Sequence, residues 1–478
     1  MIADRMSAPP APPHRRAARL RRFAAAEEGT VTIFAVFMVL MMLMVGGIGV
    51  DLMRHEMERT RIQAVSDRAV LAAADLDQTR DAKDVVYDYF AKSGMAGYVA
   101  NVTVDQGLNY KTVTVDATTS MNTQFMDDLG VPKLTIPAIA AAEEKVNKVE
   151  ISLVLDISGS MRSNGKMANL RDAAGVFIDT VIKKGNEDLI SINVVPYTAQ
   201  VNAGQPIFDQ LNIVDKHAYS YCVDFETADF DETTISTTKS YEHMQHFDAG
   251  YYWNGRDDRQ DTIDNPGCPK RSYEKITAFS QNATALKGQI DQFQPRANTS
   301  IHIGMKWGVA MLDPSFRPIN STLASAGQSD PVFANRPAAY GDSDTLKTVV
   351  LMTDGQNVHT MRINNNYYQT DRRHHEHWSK YPLNWYLRNY VRSEDHPKWR
   401  YYKYYSWQAD AMLDSICNAA KANRIVIWSI GFEVNDRGAD VMRSCASSPS
   451  HFFRVEGVEI KDAFSAIARQ INQLRLTL

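Results

Sequence analysis

Residues 30–50 contain no charged side chain and are dominated by Val, Ile, Leu, Met and Phe. About 20 consecutive apolar residues are what a helix needs to cross the hydrocarbon core of a membrane. No face of this segment is polar, which disfavours the alternative of a buried helix in a soluble domain. The segment is therefore predicted to be a single transmembrane anchor that separates a short N-terminal tail from the rest of the chain.

The tail before the anchor, residues 1–29, is rich first in proline and then in arginine. A basic flank before the first span favours retention of the N-terminus in the cytoplasm. The remaining chain would then lie outside the inner membrane. A cleaved signal peptide is the competing interpretation, but its apolar region is usually shorter. A pilin-like leader is a third alternative, although prepilins carry a Glu five residues after the glycine at position 29, where this chain has Phe34.

Composition restricts the class of protein. A hydrophobic fraction of 44% and a charged fraction of 23% are those of a folded chain. The formal net charge of −4 gives no overall attraction to nucleic acid, so no nucleic-acid partner is expected.

All four cysteines follow the anchor, and an even number suits two disulfides in an oxidising compartment. We predict pairing between sequence neighbours, Cys222 with Cys268 and Cys417 with Cys445. A thiolate metal site is disfavoured because no Cys-x-x-Cys spacing occurs. Four unpaired core cysteines remain the alternative if the anchor prediction is wrong.

Residues 51–147 are predicted to form a helical stalk followed by a small α+β module. The first helix has an apolar stripe at helical spacing and would continue the anchor outward. The later strands alternate apolar and polar residues with a period of two. The predicted elements are helices at 51–76, 84–91 and 123–129, strands at 102–105, 112–116 and 133–142, and a turn at 106–109.

An apolar run at 151–155 leads into a small polar loop. Asp156, Ser158 and Ser160 occupy alternate positions of this loop, and Gly159 gives the backbone freedom to turn. In open α/β sheets, ligands bind at loops that follow the carboxyl ends of strands. Carboxylate and hydroxyl oxygens suit Mg²⁺, Ca²⁺ or Mn²⁺ and do not suit zinc or copper. The alternative is a capped helix start with ordinary turns, since Ser and Asp are preferred caps.

Asp-x-Ser-x-Ser after an apolar strand resembles the metal-ion-dependent adhesion site of von Willebrand factor A (VWA) domains. The two other parts of that pattern are present as Thr299, before a predicted helix, and Asp354, in a strand-terminal Thr-Asp-Gly. The resemblance implies that one divalent cation is held by Asp156, Ser158, Ser160, Thr299 and Asp354, with the two carboxylates often acting through water. It also implies that a carboxylate from a protein partner completes the coordination. Such a site binds its partner without catalysing a reaction.

From residue 148 onward, strands and helices alternate, which predicts a mostly parallel, doubly wound α/β sheet with helices on both faces. The resemblance makes this domain, residues 148–478, a VWA-type domain. The predicted strands are 151–155, 189–195, 346–352, 424–430 and 451–453, and the predicted helices are 167–182, 301–312, 409–422, 439–444 and 460–474.

Two insertions interrupt this order, at about 206–295 and 361–407. The second is dense in Tyr, His, Arg and Trp and follows the Asp354 loop, so we expect it on the face that carries the metal site. Its His375 and His377 raise the alternative of a metal-dependent hydrolase acting on envelope glycans or peptides. The His-Glu-x-x-His spacing is missing, however, and a loop is predicted there. Gly-x-Ser-x-Gly and Walker A motifs are also absent, so we expect no enzyme.

The anchor, the stretch Gln63-Ala-Val-Ser-Asp-Arg-Ala-Val-Leu-Ala-Ala-Ala74 and the module that ends near Phe125 and Gly130 together resemble the TadE/TadG-like proteins of tight-adherence (Flp) pilus assembly. In that family the VWA-bearing member is the larger, TadG-like one. The resemblance implies a membrane-anchored, divalent-metal-dependent binding protein. Its partners would be pilus or pilus-assembly components, and its function pilus assembly or surface adhesion.

Overall fold

The computed structural model describes residues 29–477, except 76–77, 107–109, 146–147, 215, 256–260 and 370–371. The chain divides into two units between Lys145 and Val146, beside the boundary predicted at residue 147. The predicted basic tail before residue 29 and most of the predicted turn at 106–109 lie outside the described residues.

Helix α1 (Gly29–Ala74) joins the predicted anchor and the predicted stalk helix in one continuous helix of 46 residues. Its first half exposes large apolar side chains, among them Ile33 and Leu43. Its second half buries Ile62, Ala69 and Ala73. This spacing follows the helical period, so one face of the second half packs on the rest of the first unit.

The first unit continues with helix α2 (Ala82–Lys92) and the strands β1 (Val99–Gln106), β2 (Tyr110–Asn122) and β3 (Lys133–Lys145), which form an antiparallel sheet in the order β1-β2-β3. Helix α1 lies along the outer edge of β3, where Gln63 donates to the Ile139 carbonyl at 3.0 Å and His55 Nε2 lies 3.2 Å from the Thr135 carbonyl oxygen. The helix thereby covers a strand edge that could otherwise pair with another chain.

The prediction of a helix over residues 123–129 is wrong. Only a 3-10 turn, Asp127–Leu129, forms there. The backbone N–H groups of Gln124, Phe125 and Met126 donate to the Asp51 carboxylate on α1. These tertiary bonds hold the segment as a loop.

The second unit contains the larger sheet and its helices. Its strands are β4 (Lys148–Asp156), β5 (Ile190–Tyr197), β6 (Ile213–Val214), β7 (Val223–Asp224), β8 (Tyr241–His243), β9 (Thr277–Ser280), β10 (Thr345–Thr353), β11 (Thr360–Ile363), β12 (Arg400–Tyr404), β13 (Val426–Phe432) and β14 (Phe452–Val455). Its helices are α3 (Lys166–Val181), α4 (Gln205–Phe208), α5 (Ala283–Ile290), α6 (Ile301–Ala310), α7 (Arg317–Ser325), α8 (Arg372–Trp378), α9 (Leu383–Tyr390), α10 (His396–Trp399), α11 (Ser406–Ala422), α12 (Asp436–Cys445) and α13 (Glu459–Thr477).

Six of these strands form one sheet in the order β14-β13-β10-β4-β5-β9. The first five pair in parallel, and the edge strand β9 is antiparallel to β5. Strand β5 is buried along its whole length, as expected for a parallel strand covered on both faces. Helix α3 packs with α5 and α13, whereas α6 packs with α11 and α11 with α12, so two helix layers flank the sheet. The predicted mostly parallel α/β class is confirmed.

The first insertion is shorter than the predicted 206–295, because β9 and α5 belong to the framework: β9 pairs with β5 and α5 packs on α3. Four residues of strand are too few to give a clear period-two signal. The predicted disulfides are confirmed: Cys222–Cys268 lies within the first insertion and Cys417–Cys445 joins α11 to α12.

The two insertions share a small hydrophobic core. Phe247 and Cys268 of the first insertion pack in one buried cluster with Ile363 and Trp378 of the second. At one border of this core, the buried Arg362 guanidinium donates to the Asp224 carboxylate at 2.7 and 3.0 Å. The insertions therefore form one packed body rather than two independent loops.

Candidate metal centre

Four of the five predicted ligands lie at the carboxyl ends of two neighbouring strands, and Thr299 lies just before helix α6. Strands β4 and β10 are parallel, with Leu155 opposite Met352, so the residues that follow them meet at one edge of the sheet. Asp156 ends β4, and its Oδ2 accepts a hydrogen bond from the Thr353 hydroxyl at 2.7 Å. Its Oδ1 accepts from the Ser158 backbone N–H at 2.8 Å. This packing fixes both oxygens of a fully buried carboxylate.

A chain of hydrogen bonds joins the other four predicted ligands. The Thr299 hydroxyl donates to Ser158 Oγ at 2.8 Å. Ser158 Oγ lies 3.0 Å from Ser160 Oγ, and the Ser160 hydroxyl donates to Asp354 Oδ1 at 2.6 Å. The structure thus brings together all five residues predicted from three separate parts of the sequence.

A close backbone approach places the Thr299 loop against the first loop. The Gly159 N–H donates to the Ala297 carbonyl at 3.1 Å, and a Cβ at position 159 would lie 2.9 Å from that oxygen. Ala297 itself has a φ of 51°, a left-handed conformation that costs free energy for alanine. It is held by Asn265 of the first insertion, whose Oδ1 accepts its N–H at 3.0 Å. The insertion therefore braces a loop of the candidate site.

The buried carboxylates of the site outnumber the cationic groups described beside them. Burial, together with the nearby negative charge of Asp354, raises the pKa of Asp156 to about 7. The groups that donate to Asp156 are a neutral hydroxyl and a neutral amide. Asp354 has a cationic neighbour, because Lys166 Nζ lies 3.1 Å from its Oδ2. Lys166 also lies 3.5 Å from Glu433 Oε2, so two carboxylates share this ammonium group.

Sequence reasoning missed three contributors to this arrangement. Thr353 stands in the Thr-Asp-Gly that identifies the third loop, but its role in fixing Asp156 required the packed structure. Lys166 begins helix α3 and Glu433 follows β13, 267 positions later along the chain. No local pattern relates them, so no sequence signal was available for this pair.

The donor set fits a hard divalent cation. Two carboxylates and three hydroxyls supply oxygen ligands, which Mg²⁺, Ca²⁺ and Mn²⁺ prefer. Asp156 and Asp354 are buried, whereas Ser160 is exposed, so the site reaches the protein surface. A cation there would offset the charge that burial disfavours on Asp156. Within the described residues no cluster of three or more His, Cys, Asp or Glu side chains is arranged to hold a metal; the present site is of another type, rich in hydroxyls.

The His-rich segment is a short helix, α8, and not the predicted loop. An ion pair of 2.6 Å between Arg372 and Glu376, at helical i,i+4 spacing, and burial of Trp378 favour this helix. His375 is buried with its ring 5.6 Å from that of Tyr368 and 5.3 Å from that of His217. Tyr368 and Trp378 belong to the shared hydrophobic core of the insertions, so the His-rich helix packs against that core.

The strand order is that of a doubly wound α/β sheet, and the three loops lie where the predicted VWA-type fold requires them. Residues 29–76 match the Tad family, Flp pilus-assembly TadE/G-like. The predicted TadE/TadG-like resemblance is confirmed for this segment, which is roughly a tenth of the 478 residues. A search of the curated proteins gives no match.

Several solved structures are similar to this chain. The vWF domain of the type V pili tip protein Mfa5 from Porphyromonas gingivalis is 13% identical, with a TM-score of 0.36, over 69% of this chain and 96% of that one. The pilus adhesin SpaC from Lactobacillus rhamnosus GG is 13% identical, with a TM-score of 0.29, over 79% of this chain and 34% of that one. The adhesive tip pilin GBS104 from Group B Streptococcus agalactiae is 12% identical, with a TM-score of 0.32, over 68% of this chain and all of that one. The predicted VWA-type fold agrees with the strand order and the loop positions described above, independently of these similarities.

Proposed function

We propose that this protein is a membrane-anchored, divalent-metal-dependent binding protein that acts in Flp/Tad-type pilus assembly or in surface adhesion. The observation that carries this proposal is the hydrogen-bonded set of two carboxylates and three hydroxyls in the loops that follow β4 and β10 and precede α6. The match of the N-terminal segment to pilus-assembly proteins supports the biological setting.

The cation would be Mg²⁺, Ca²⁺ or Mn²⁺, held by Asp156, Ser158, Ser160, Thr299 and Asp354. Because Ser160 lies at the surface, a partner can approach the ion there. A carboxylate is the partner group that a hard cation with oxygen ligands would accept. We therefore propose protein capture through a partner's Asp or Glu side chain, without chemical turnover.

The proposed location is the bacterial inner membrane, with the N-terminus in the cytoplasm and the second unit in the periplasm. Helix α1 is long and apolar enough to cross a membrane, and its apolar part is almost entirely exposed. Two disulfides in the second unit agree with an oxidising compartment.

Metal binding is tested by thermal and urea unfolding of the full chain in detergent, with Mg²⁺, Ca²⁺ or Mn²⁺ and with chelator. A cation at 100 times its dissociation constant should stabilise the wild type by about 2.7 kcal/mol. Asp156→Ala and Asp354→Ala should each abolish this gain. Asp440→Ala, at an exposed carboxylate on α12, should retain it.

Partner binding is tested by capture from native envelope extracts on the immobilised full chain, with Mg²⁺ and with chelator. We expect a retained protein that is released by chelator and is not captured by Asp156→Ala. The same substitutions in the bacterium should reduce surface pili or adherence. If capture and pilus assembly both survive Asp156→Ala and Asp354→Ala, metal-dependent binding is wrong.

A further inference from the structure

A second exposed surface lies in the first unit, in the loop 123–132 between β2 and β3. Thr123 closes this loop, since its hydroxyl donates to the Val131 carbonyl at 2.6 Å. The loop nevertheless exposes three large apolar side chains: Phe125 is 44% exposed, Leu129 46% and Val131 36%. Large apolar side chains exposed together on a short loop are typical of a surface that binds an apolar partner.

Asp51 of helix α1 fixes the position of this loop. Its buried carboxylate accepts the backbone N–H groups of Gln124 at 3.0 Å, Phe125 at 2.7 Å and Met126 at 2.9 Å. Three amide donors on one carboxylate orient the peptide planes of the loop. The height of the loop along α1 is therefore set by residue 51, the first residue after the apolar stretch.

The Phe125 ring reaches further towards the membrane segment. It packs directly on Gly47, because a Cβ built at position 47 would lie 2.4 Å from the ring. Gly47 lies four residues before Asp51, or about 6 Å along the helix axis at ~1.5 Å per residue. Position 47 is within the uncharged stretch 30–50, so Phe125 lies at the level of the last turn of the predicted span.

We propose that the loop 123–132 is a lipid-contact surface, in which Phe125, Leu129 and Val131 insert among the lipids at the membrane face where α1 leaves the bilayer. This inference rests on the proposed membrane anchor. Lipid is the occupant that the structure favours, because the apolar surface of the loop is continuous, through the Phe125–Gly47 contact, with the exposed apolar surface of α1. Apolar and aromatic side chains at such a boundary bury part of their surface while the backbone stays near water.

Two acidic residues of the loop limit how deeply it can enter the membrane. Asp127 and Asp128 form its 3-10 turn and are exposed. Two carboxylates are expensive to place in hydrocarbon, so they must remain at the level of the headgroups. The contact is therefore shallow, and it would hold the first unit against the membrane and restrict tilting of α1.

The test uses the full chain reconstituted in phosphatidylcholine vesicles, with a single environment-sensitive fluorophore on an introduced cysteine. The four native cysteines are buried in two disulfides, so labelling under non-reducing conditions reaches the introduced thiol. Leu129→Cys reports on the loop, Leu40→Cys on the anchor, and Gln106→Cys is the control. Gln106 pairs with Lys111 at the other end of β2, about 40 Å from the loop at ~3.3 Å per residue.

Lipids brominated close to the headgroup should quench most of the emission at position 129 and little at position 106. Val131→Cys should behave like Leu129→Cys, which protects the result against a local defect in either variant. If positions 129 and 131 respond like position 106 while position 40 is quenched by deeply brominated lipid, the loop inference is overturned and the anchor stands. If position 40 is not quenched either, the anchor proposal fails and the loop inference falls with it.

Discussion

The neighbouring strands β4 and β10 have a buried carboxylate near each end of the pair, Glu150 at the amino-terminal end and Asp156 at the carboxyl-terminal end, and the two differ in how their charge is neutralised. At the amino-terminal end, Glu150 Oε2 lies 2.5 Å from Lys347 Nζ and its Oε1 accepts the Ala338 N–H at 2.8 Å. Lys347 Nζ also donates a hydrogen bond to the Leu312 carbonyl at 2.9 Å. At the carboxyl-terminal end, Asp156 accepts bonds only from neutral groups among the contacts seen in the described residues, and the nearby Asp354 shares Lys166 with Glu433.

The Glu150–Lys347 pair at the amino-terminal end is complete, whereas the carboxylates at the carboxyl-terminal end are only partly neutralised. A buried carboxylate that meets its own ammonium group is neutralised within the fold, and an added cation has nothing to offset there. At the other end, burial and then the negative charge of Asp354 raise the pKa of Asp156, and Asp354 shares its ammonium group with Glu433. We infer that the first end serves stability and the second is suited to take up a cation.

The largest expected effect is at the closed end. Lys347→Met should leave Glu150 buried without its partner and lower the free energy of unfolding by about 3–5 kcal/mol. The loss should be the same with Mg²⁺ and with chelator, as measured by urea unfolding. Lys398→Met is the control, because this lysine is exposed and its pairing with Asp395 is solvent-screened. Equal stability of the two variants would show that Lys347 does not neutralise a buried Glu150 carboxylate.

A smaller effect is expected from pH at the open end. The folded pKa of Asp156 is about 7 and its ordinary value is 3.8, so between these values the folded protein holds a proton that the unfolded chain has lost. The free energy of unfolding of the metal-free protein should therefore fall as pH rises through this window, by at most about 1.4 kcal/mol per pH unit from this group.

Asp156→Asn removes this titration, and all other groups are common to both proteins. The difference between wild type and Asp156→Asn in chelator, from urea unfolding between pH 4 and 7, measures the effect of Asp156 together with its interaction with the Asp354 charge. Saturating Mg²⁺ should weaken the pH dependence of the free energy of unfolding of the wild type. Parallel pH curves for the two proteins in chelator would show that Asp156 is not destabilised in its charged form.

The smallest expected effect concerns the shared ammonium group. Lys166→Met removes a positive charge beside Asp354 and should tighten Mg²⁺ binding about five- to tenfold, on the order of 1 kcal/mol. Calorimetric titration of the full chain measures this change. Lys183→Met, at an exposed position just after α3, should leave the affinity unchanged. Weaker binding by Lys166→Met would instead assign Lys166 the task of positioning the Asp354 carboxylate.

Much of the fold and the candidate site could be predicted from local patterns. The strands that became β4 and β10 are mostly apolar, and the five proposed ligands stand next to strand or helix ends. Errors arose where tertiary contacts overrode local preference. Hydrogen bonds to Asp51 hold residues 124–126 as a loop, and burial of Trp378 in the shared core of the insertions favours the helix over the His-rich segment.

By itself, the sequence determined which segments are apolar strands, where the uncharged helix runs, and which oxygen-bearing side chains follow the strands, because each is written within a few neighbouring residues. Only the tertiary structure decided that Lys166 meets both Asp354 and Glu433, that the two insertions share one core, and that Phe125 packs on Gly47. These contacts join residues far apart in the chain. They depend on how whole elements pack, which no local period in the sequence encodes.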